Sequence, residues 1–394
     1  MRILHVIAGL SVGGAEANLC SLIEQSEGKG FHHIVVSFLA NGPLKPRLER
    51  AGATVIELSS CRGAGGLLAL RQLGVNINKS NPDIVHSWMY HANAATAVLQ
   101  RLDYFRCPLI WSIRQSLEDP TLDRRLTRAI TTFGAWVSER PNAIVYNSLK
   151  AATTHEDRGY SAGRRMIIHN GVDCNRFRPR PEARAVLRAQ LGLPPESILI
   201  GRVARWSPMK DFKTLISAFA TVKRSLPTAR LVLVGTGIDA QNDELRALCR
   251  NSGSADHVHL MGPRLDVETI YPALDVLVSS SRSNEGFPNV VAEALASGNL
   301  VAVTSSGENS LMGGAHEVVA TQNSAALSAA ITRLVGLPAQ EKSLLSNNAR
   351  SFVLDHFSLH SCVERYHKLY RETASELHSE DYPNISERST LSVP

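Results

Sequence analysis

Two carboxylates eight positions apart, Glu285 and Glu293, stand in the stretch Asn284-Glu-Gly-Phe-Pro-Asn-Val-Val-Ala-Glu-Ala-Leu-Ala-Ser-Gly298. Ionised carboxylates accept hydrogen bonds, so a spaced pair suits a ligand rich in hydroxyl groups. From Asn289 onward Val290, Val291, Ala294 and Leu295 recur at three- and four-residue spacing with no interior Gly or Pro, which predicts a buried helix. Pro288 is favoured in a first turn and Gly298 is a natural stop. Upstream, Asp275-Val-Leu-Val-Ser-Ser-Ser281 reads as a buried strand leaving its sheet. The unit is strand, loop, helix, and such loops lie at the carboxyl ends of strands, where open α/β sheets bind ligands. The helix start offers unpaired amides and the positive end of a dipole, so an anion is welcome beside Glu285. On spacing alone a solvated helix face accounts for Glu293 equally well. Gly286-Phe-Pro, unusual choices for a plain loop, favour the ligand.

Other candidates also follow strands. Gly201-Arg-Val-Ala-Arg-Trp-Ser-Pro-Met-Lys210 places Arg205 and Lys210 in one loop, where two cations suit a diphosphate through charge-assisted hydrogen bonds. Gly235-Thr-Gly and Met261-Gly-Pro-Arg264 are turns at strand ends, open to a nucleotide or to packing alone. Near the amino terminus Gly13 and Gly14 bring backbone amides close to a ligand at a helix start, although the run is not G-x-G-x-x-G. His86-Ser-Trp-Met-Tyr-His91 follows another strand, and a histidine there can orient a sugar or serve only the fold. Arg114 ends the next strand and is expected to point into the same crevice.

These groups need a scaffold, and the pattern supplies one. Strands are predicted over Ile3–Ala8, His32–Leu39, Thr54–Leu58, Asp83–His86, Leu109–Ile113, Ala143–Tyr146 and Met166–His169, alternating with helices. Asn170-Gly-Val-Asp followed by Arg178-Pro-Arg-Pro marks the exit from a first domain. The alternation resumes with strands at Ile198–Val203, Leu231–Val234, Val258–Met261, Val276–Ser279 and Leu300–Thr304, and helices at Phe212–Ser225 and Asp243–Asn251. Alternation of this kind specifies mostly parallel, doubly wound sheets. The predicted domains are 1–175 and 176–374, with a last helix able to pack back on the first. The Ser-, Glu-, His- and Pro-containing tail 375–394 is expected to be disordered.

With 394 residues the chain has room for two cores, and 44% hydrophobic against 20% charged residues fits a soluble globular protein. Six scattered cysteines form no C-x-x-C pair, which argues against a disulfide framework or zinc site and for a reducing, cytoplasmic compartment. The apolar start is too short for a signal sequence, and no run reaches a membrane span. The net charge of +6 lies in the first half: through Arg165 there are 19 Lys/Arg against 13 Asp/Glu. Such a bias serves an anionic ligand or membrane surface. Nucleic acid is not expected, because basic and aromatic residues do not interleave. The helix expected over Thr121–Glu139 carries Leu122, Leu126, Ile130, Phe133 and Val137 at helical spacing with Arg124, Arg125 and Arg128. Packing on the core explains it, and contact with a membrane surface is the other reading.

Taken together these motifs resemble the retaining glycosyltransferases of family four. Glu285 to Glu293 is similar to the family's E-x7-E element. Gly13-Gly-Ala-Glu16, Asn170-Gly-Val-Asp173, the Arg205…Lys210 loop, Val234-Gly-Thr-Gly237 and Gly262-x-x-x-Asp266 resemble further family motifs in the family's order. Trp88-Met-Tyr-His91 and Trp111-Ser-Ile-Arg-Gln115 look like the branch that builds bacterial surface polysaccharide and lipopolysaccharide.

The resemblance implies a GT-B fold, two Rossmann-like doubly wound domains facing a central cleft. It implies transfer of a hexose from a nucleotide diphosphate sugar to a lipid-linked or polysaccharide acceptor, at the inner membrane face. Glu293 would bind ribose, Glu285 and the following amides the donor sugar, Arg205 and Lys210 the diphosphate, and His91 the sugar side. The donor-binding set is then Gly14, Arg205, Lys210, Gly235, Arg264, Glu285, Gly286, Phe287, Asn289 and Glu293. Gly13 and Arg114 fall on the acceptor side. No Asp-x-Asp stands at a strand end, so no metal is expected, and no cofactor beyond the donor. The family mechanism is front-face, with the leaving phosphate helping to deprotonate the acceptor. Two alternatives remain: a nucleotide-sugar epimerase or hydrolase on the same fold, and a non-catalytic sugar-nucleotide-binding subunit.

Overall fold

Parallel strands buried on both faces need apolar residues at successive positions, and the runs Ile3-Leu-His-Val-Ile and Leu231-Val-Leu-Val meet that demand. The computed structural model describes residues 1–11, 13–58, 65–119, 125–308 and 316–380. Its first domain runs β1 (Arg2–Ile7), α1 (Gly14–Glu24), β2 (His32–Ser37), α2 (Lys45–Arg50), β3 (Thr54–Glu57), α3 (Gly65–Ser80) and β4 (Ile84–Trp88). It continues with α4 (Met89–Arg101), β5 (Leu109–Ile113), α5 (Arg125–Val137), β6 (Ala143–Tyr146), α6 (Leu149–Glu156) and β7 (Arg165–Ile167). The second has α7 (Ala183–Gln190), β8 (Ile198–Val203), α8 (Phe212–Ser225), β9 (Ala229–Val234), α9 (Asp243–Asn251), β10 (Val258–Leu260) and α10 (Val267–Ile270). Then come β11 (Val276–Ser279), α11 (Asn289–Ala296), β12 (Leu300–Thr304), β13 (His316–Val319), α12 (Ser324–Gly336), α13 (Ala339–Phe357) and α14 (Leu359–Glu380).

Both sheets are parallel throughout, ordered β3-β2-β1-β4-β5-β6-β7 and β10-β9-β8-β11-β12-β13. The strand order reverses between β1 and β4 in one and between β8 and β11 in the other. Chains leaving neighbouring strands there go to opposite faces, which opens a crevice at the strand ends. Gly13–Gly14 and His91 follow β1 and β4; Arg205–Lys210 and Glu285 follow β8 and β11. The expected motifs therefore sit at the two switch points. Each sheet is covered on both faces: Leu4, Val6 and Val36 belong to one cluster, Ile3, Ile7 and Val35 to another, with a similar division in the second domain.

The chain crosses between domains twice. Val172 donates to Phe357 O and accepts from Leu359 N, both at 2.8 Å, so the two crossings are bonded to each other. Beyond them α14 returns to the first domain. Val363, Tyr366, Leu369 and Tyr370 sit in the cluster that holds Ile3, Ile7 and Trp88. Tyr370 OH meets His86 Nδ1 at 2.7 Å, and His367 Nε2 meets Ser26 Oγ at 2.8 Å. This helix continues to Glu380, so residues 375–380 are helical rather than part of a disordered tail. The remainder of that tail, the start of the helix expected from Thr121, and Cys61 lie outside the described residues.

The crossing is tight. A Cβ on Gly171 would stand 2.6 Å from Leu359 Cα and 2.8 Å from Cys362 Cβ. Gly171→Ala is therefore expected to cost about 1–3 kcal/mol through overpacking. Gly336, with open space around it, is the matched control. Thermal melting is expected to show a lowered Tm for G171A and none for G336A.

Candidate active site between the two domains

The β11–α11 loop is the centre of the site. Asn284 takes a left-handed conformation (φ 59°), which Asn tolerates better than most residues, and turns the chain so that Glu285 faces the β8 loop. Glu285 forms an ion pair with Lys210 Nζ and accepts from Ser281 Oγ at 2.6 Å. Lys210 ends a short 3₁₀ turn (Pro208–Lys210), and Asp211 behind it caps α8 by accepting from Thr214 N at 3.1 Å. Burial pushes the Glu285 carboxyl up, but Lys210, Ser281 and Arg202 together outweigh it and hold the pKa below the ordinary value. Glu285 is thus an anion kept charged by a cation.

Arg202 is a contributor that sequence reading missed. It lies in β8, 2% exposed, inside an apolar run that reads as pure core. Its Nη2 donates to Lys210 O at 2.8 Å and Ser281 Oγ at 3.2 Å, and its guanidinium lies over the Phe212 ring. Burial lowers its pKa to about 10, opposed by Glu285 and Asp211, so it remains a cation. A charged residue in the middle of a buried strand was the available signal.

Glu293, about one turn into α11, faces a cleft of about 410 Å³ whose lining also includes Gly13, Asp173, Arg176, Arg264 and Asn289. Tyr271 OH donates to Glu293 at 2.8 Å. Burial lifts the Glu293 pKa to about 7, against the opposing pull of Tyr271 and Arg176. Across the cleft α1 begins at Gly14, where a Cβ would come 3.4 Å from Asn289 Nδ2. The starts of α1 and α11 therefore face each other from opposite domains, and both offer positive potential to a bound anion. Asn289 is further fixed by Asn170 Nδ2, which donates to its Oδ1 at 2.7 Å. Gly286 packs on the first domain, where a Cβ would be 2.5 Å from Asn147 Oδ1 and 3.1 Å from Arg114 O.

The expected residues divide by environment. Lys210 and Glu285 touch; Gly13, Asn289, Glu293 and Arg264 share the cleft; Gly14 and Gly286 are at the domain contact. Gly235 (φ 144°) lies against the Ala204 carbonyl and shapes the β8 loop through close approach. Arg205 is exposed and makes no ion pair among the described residues, unlike Lys210 beside it. His91 is exposed in the first turn of α4 and has no hydrogen bond to the second domain among the described residues.

Three further side chains are engaged within the protein. The Arg114 guanidinium turns inward over Trp88 (5.1 Å) and Tyr366 (5.8 Å), and Nη1 donates to Ile168 O at 3.4 Å. Cation–π attraction from two rings holds it there. Arg264 is bound bidentately by Asp266 at 2.7 and 2.6 Å, which occupies the fork expected for the donor. Phe287 is 4% exposed and packs against His169 and Phe357, leaving its backbone amide as the group available to a ligand.

Comparison with known proteins agrees with this fold. Residues 12–176 match the family model described as Glycosyltransferase Family 4, and residues 194–336 match Glycosyl transferases group 1. The fold is GT-B, with a glycosyltransferase domain on each side of the cleft. It is 32% identical over 174 residues to the D-inositol 3-phosphate glycosyltransferase of Segniliparus rotundus, covering 43% of this chain and 38% of that relative. It is 40% identical over 94 residues to a GDP-mannose-dependent alpha-(1-6)-phosphatidylinositol monomannoside mannosyltransferase of Mycobacterium tuberculosis, 23% of each chain. These matches span well under half of the curated relatives' length. Among solved structures, Anabaena HepE in complex with UDP and glucose superposes with a TM-score of 0.83 at 21% identity, covering 94% of this chain and all of that one. WaaG, a glycosyltransferase involved in lipopolysaccharide biosynthesis, gives 0.71 at 16% identity over 94% and 99%.

Proposed function

We propose that this protein moves a hexosyl group, with retention, from a nucleoside diphosphate sugar to a lipid-linked or polysaccharide acceptor in cell-surface glycan synthesis. The observation that carries the reading is the Lys210–Glu285 pair at the β8/β11 switch point, beside the facing starts of α1 and α11. An ammonium and a carboxylate held together are the parts a sugar diphosphate would separate. The phosphates take Lys210, with Arg205 swinging in from solvent, and the sugar hydroxyls take Glu285. Glu293 accepts from the ribose, and the Gly14, Gly286 and Phe287 amides complete the cradle. GDP-mannose, the donor of one similar enzyme, and UDP-glucose, bound in a HepE complex, support a donor of this class without choosing its base.

In the reaction the bond between the anomeric carbon and the β-phosphate oxygen breaks. The acceptor oxygen bonds to the same face of that carbon, and its proton passes to the departing phosphate oxygen. Lys210 and the helix starts stabilise the charge that builds there, so the protein supplies electrostatics rather than a nucleophile, and no divalent metal is required. His91 stands on the sugar side. The site is reached from the cytoplasm, and the positively charged first domain docks peripherally on the inner membrane. No helix among the described residues is long and apolar enough to cross it.

The test is transfer of labelled sugar from UDP-glucose, UDP-galactose and GDP-mannose to membrane glycolipid extract in the presence of EDTA. One donor is expected to label the extract. Rapid isomerisation or hydrolysis of donor without acceptor, or tight nucleotide binding with no labelling, would contradict the proposal.

A further inference from the structure

The residues flanking Glu285 are held from the opposite domain. Asn284, 7% exposed, makes three hydrogen bonds to the segment after β5: its amide donates to Glu118 Oε2 (2.8 Å), its Nδ2 to Asp119 O (2.9 Å), and its Oδ1 accepts from Asp119 N (2.7 Å). One side-chain amide thus satisfies both backbone groups of Asp119, as a neighbouring strand would. Ser116 Oγ donates to the carbonyl of Glu285 itself at 2.9 Å. On the other side, Glu308 follows β12 and is 3% exposed. Its carboxylate accepts from Leu149 N at the start of α6 and meets His169 Nε2 at 3.1 Å, while its amide reaches Gly286 O at 3.4 Å.

These contacts are unlike the exposed ion pairs that decorate a rim. Buried polar groups left without partners cost about 1–3 kcal/mol each. Opening the domains would exchange the Asn284, Asp119 and Glu308 hydrogen bonds for bonds to water together. Asn284 holds its left-handed backbone with its side chain bonded to Asp119, and Glu285 is the next residue along.

We propose that Asn284 is a positioning residue that ties closure of the two domains to the placement of Glu285. The loop is correctly shaped only when the segment 116–119 is docked on it. Sugar recognition by Glu285 and exclusion of water from the interdomain cleft then occur in one event. This rests on the glycosyltransferase reading for its catalytic consequence, but not for its structural one.

The test uses the full chain carrying Asn284→Gly, which keeps the positive φ accessible and removes only the side chain. Ser116→Ala is a milder second variant. Amide hydrogen exchange is followed at Leu149, whose bond to Glu308 belongs to a different contact, with Val301 in the core as a folding reference. Exchange at Leu149 is expected to quicken at least tenfold in N284G with Val301 unchanged, and by less in S116A. With donor and acceptor, kcat is expected to fall at least tenfold in N284G, while the Kd for UDP or GDP stays within threefold, since Glu293 is untouched. Unchanged exchange at Leu149 would overturn the coupling between the two contacts. Accelerated exchange with undiminished kcat would overturn the coupling to Glu285. If the unsubstituted protein transfers no sugar, the activity reading fails on its own, and the exchange result still decides the latch.

Discussion

Lys210→Ala is expected to lower kcat by about 10²–10³-fold, the usual loss when one preorganised donor to a developing negative charge is removed. The substitution should leave the loop intact, because the protein holds that loop by its backbone. The carbonyl of Lys210 accepts from Arg202 Nη2 (2.8 Å) and Ser280 Oγ (3.1 Å), and Asp211 caps α8 independently of the ammonium. Loss of the amine also removes the strongest influence keeping Glu285 ionised, leaving Arg202 and Ser281 against burial. The Glu285 pKa then rises, so the defect should deepen as pH falls. Steady-state kinetics across pH with a parallel melting curve separate this from unfolding: a near-native Tm with collapsed kcat is the expected pair. Arg202→Met acts less directly, through the Lys210 carbonyl and Ser281, and a smaller loss is expected of it.

Glu293 carries the second large effect, and its sign is set by burial. Its pKa is raised to about 7, so the carboxyl is mostly neutral at pH 6 and mostly ionised at pH 8. An ionised carboxylate accepts from two ribose hydroxyls, whereas the protonated form gives up acceptor capacity. Nucleoside diphosphate affinity is therefore expected to fall as pH drops below 7, approaching a tenfold loss per unit. Glu293→Gln should bind weakly and without that pH dependence. Glu293→Ala should weaken binding about 10–100-fold, as loss of two hydrogen bonds to a charged group implies. Folding responds in the opposite direction. A carboxyl whose pKa is higher folded than unfolded contributes stability that is complete below about 4.5 and lost as pH rises to about 7. Between these values affinity rises while this contribution to stability declines. Titration calorimetry and thermal melting on one pH series check both, and a Kd that is flat with pH excludes Glu293 from the nucleotide site.

The architecture was legible because parallel strands must be apolar on both faces. The runs at Leu109–Ile113, Ile198–Val203 and Val276–Ser279 coincide with observed strands residue for residue. The Glu285 loop was legible for a related reason: Pro288 and Gly298 mark the ends of α11, and Gly286 is demanded by the Asn147 and Arg114 groups pressed against it. What stayed hidden depends on partners distant in sequence. Arg114 turns inward because Tyr366, on α14, supplies the second ring. Arg202 reads as an intruder in a strand until Lys210 and Ser281 surround it. Asn284 and Glu308 lie in short polar stretches typical of any loop, and only docking of segment 116–119 and of Leu149 gives them a role. The return of α14 onto the first domain matches the expectation for the last helix, and Val363, Tyr366, Leu369 and Tyr370 at helical spacing carry it.

A crystal structure of the protein with its nucleoside diphosphate sugar decides whether a diphosphate is what draws the two domains together. Lys210 Nζ should have left Glu285 for a phosphate oxygen, with the phosphates between the starts of α1 and α11 and the ribose hydroxyls on Glu293. A nucleotide bound with the Lys210–Glu285 pair unbroken and its ribose remote from Glu293 would contradict the mechanism.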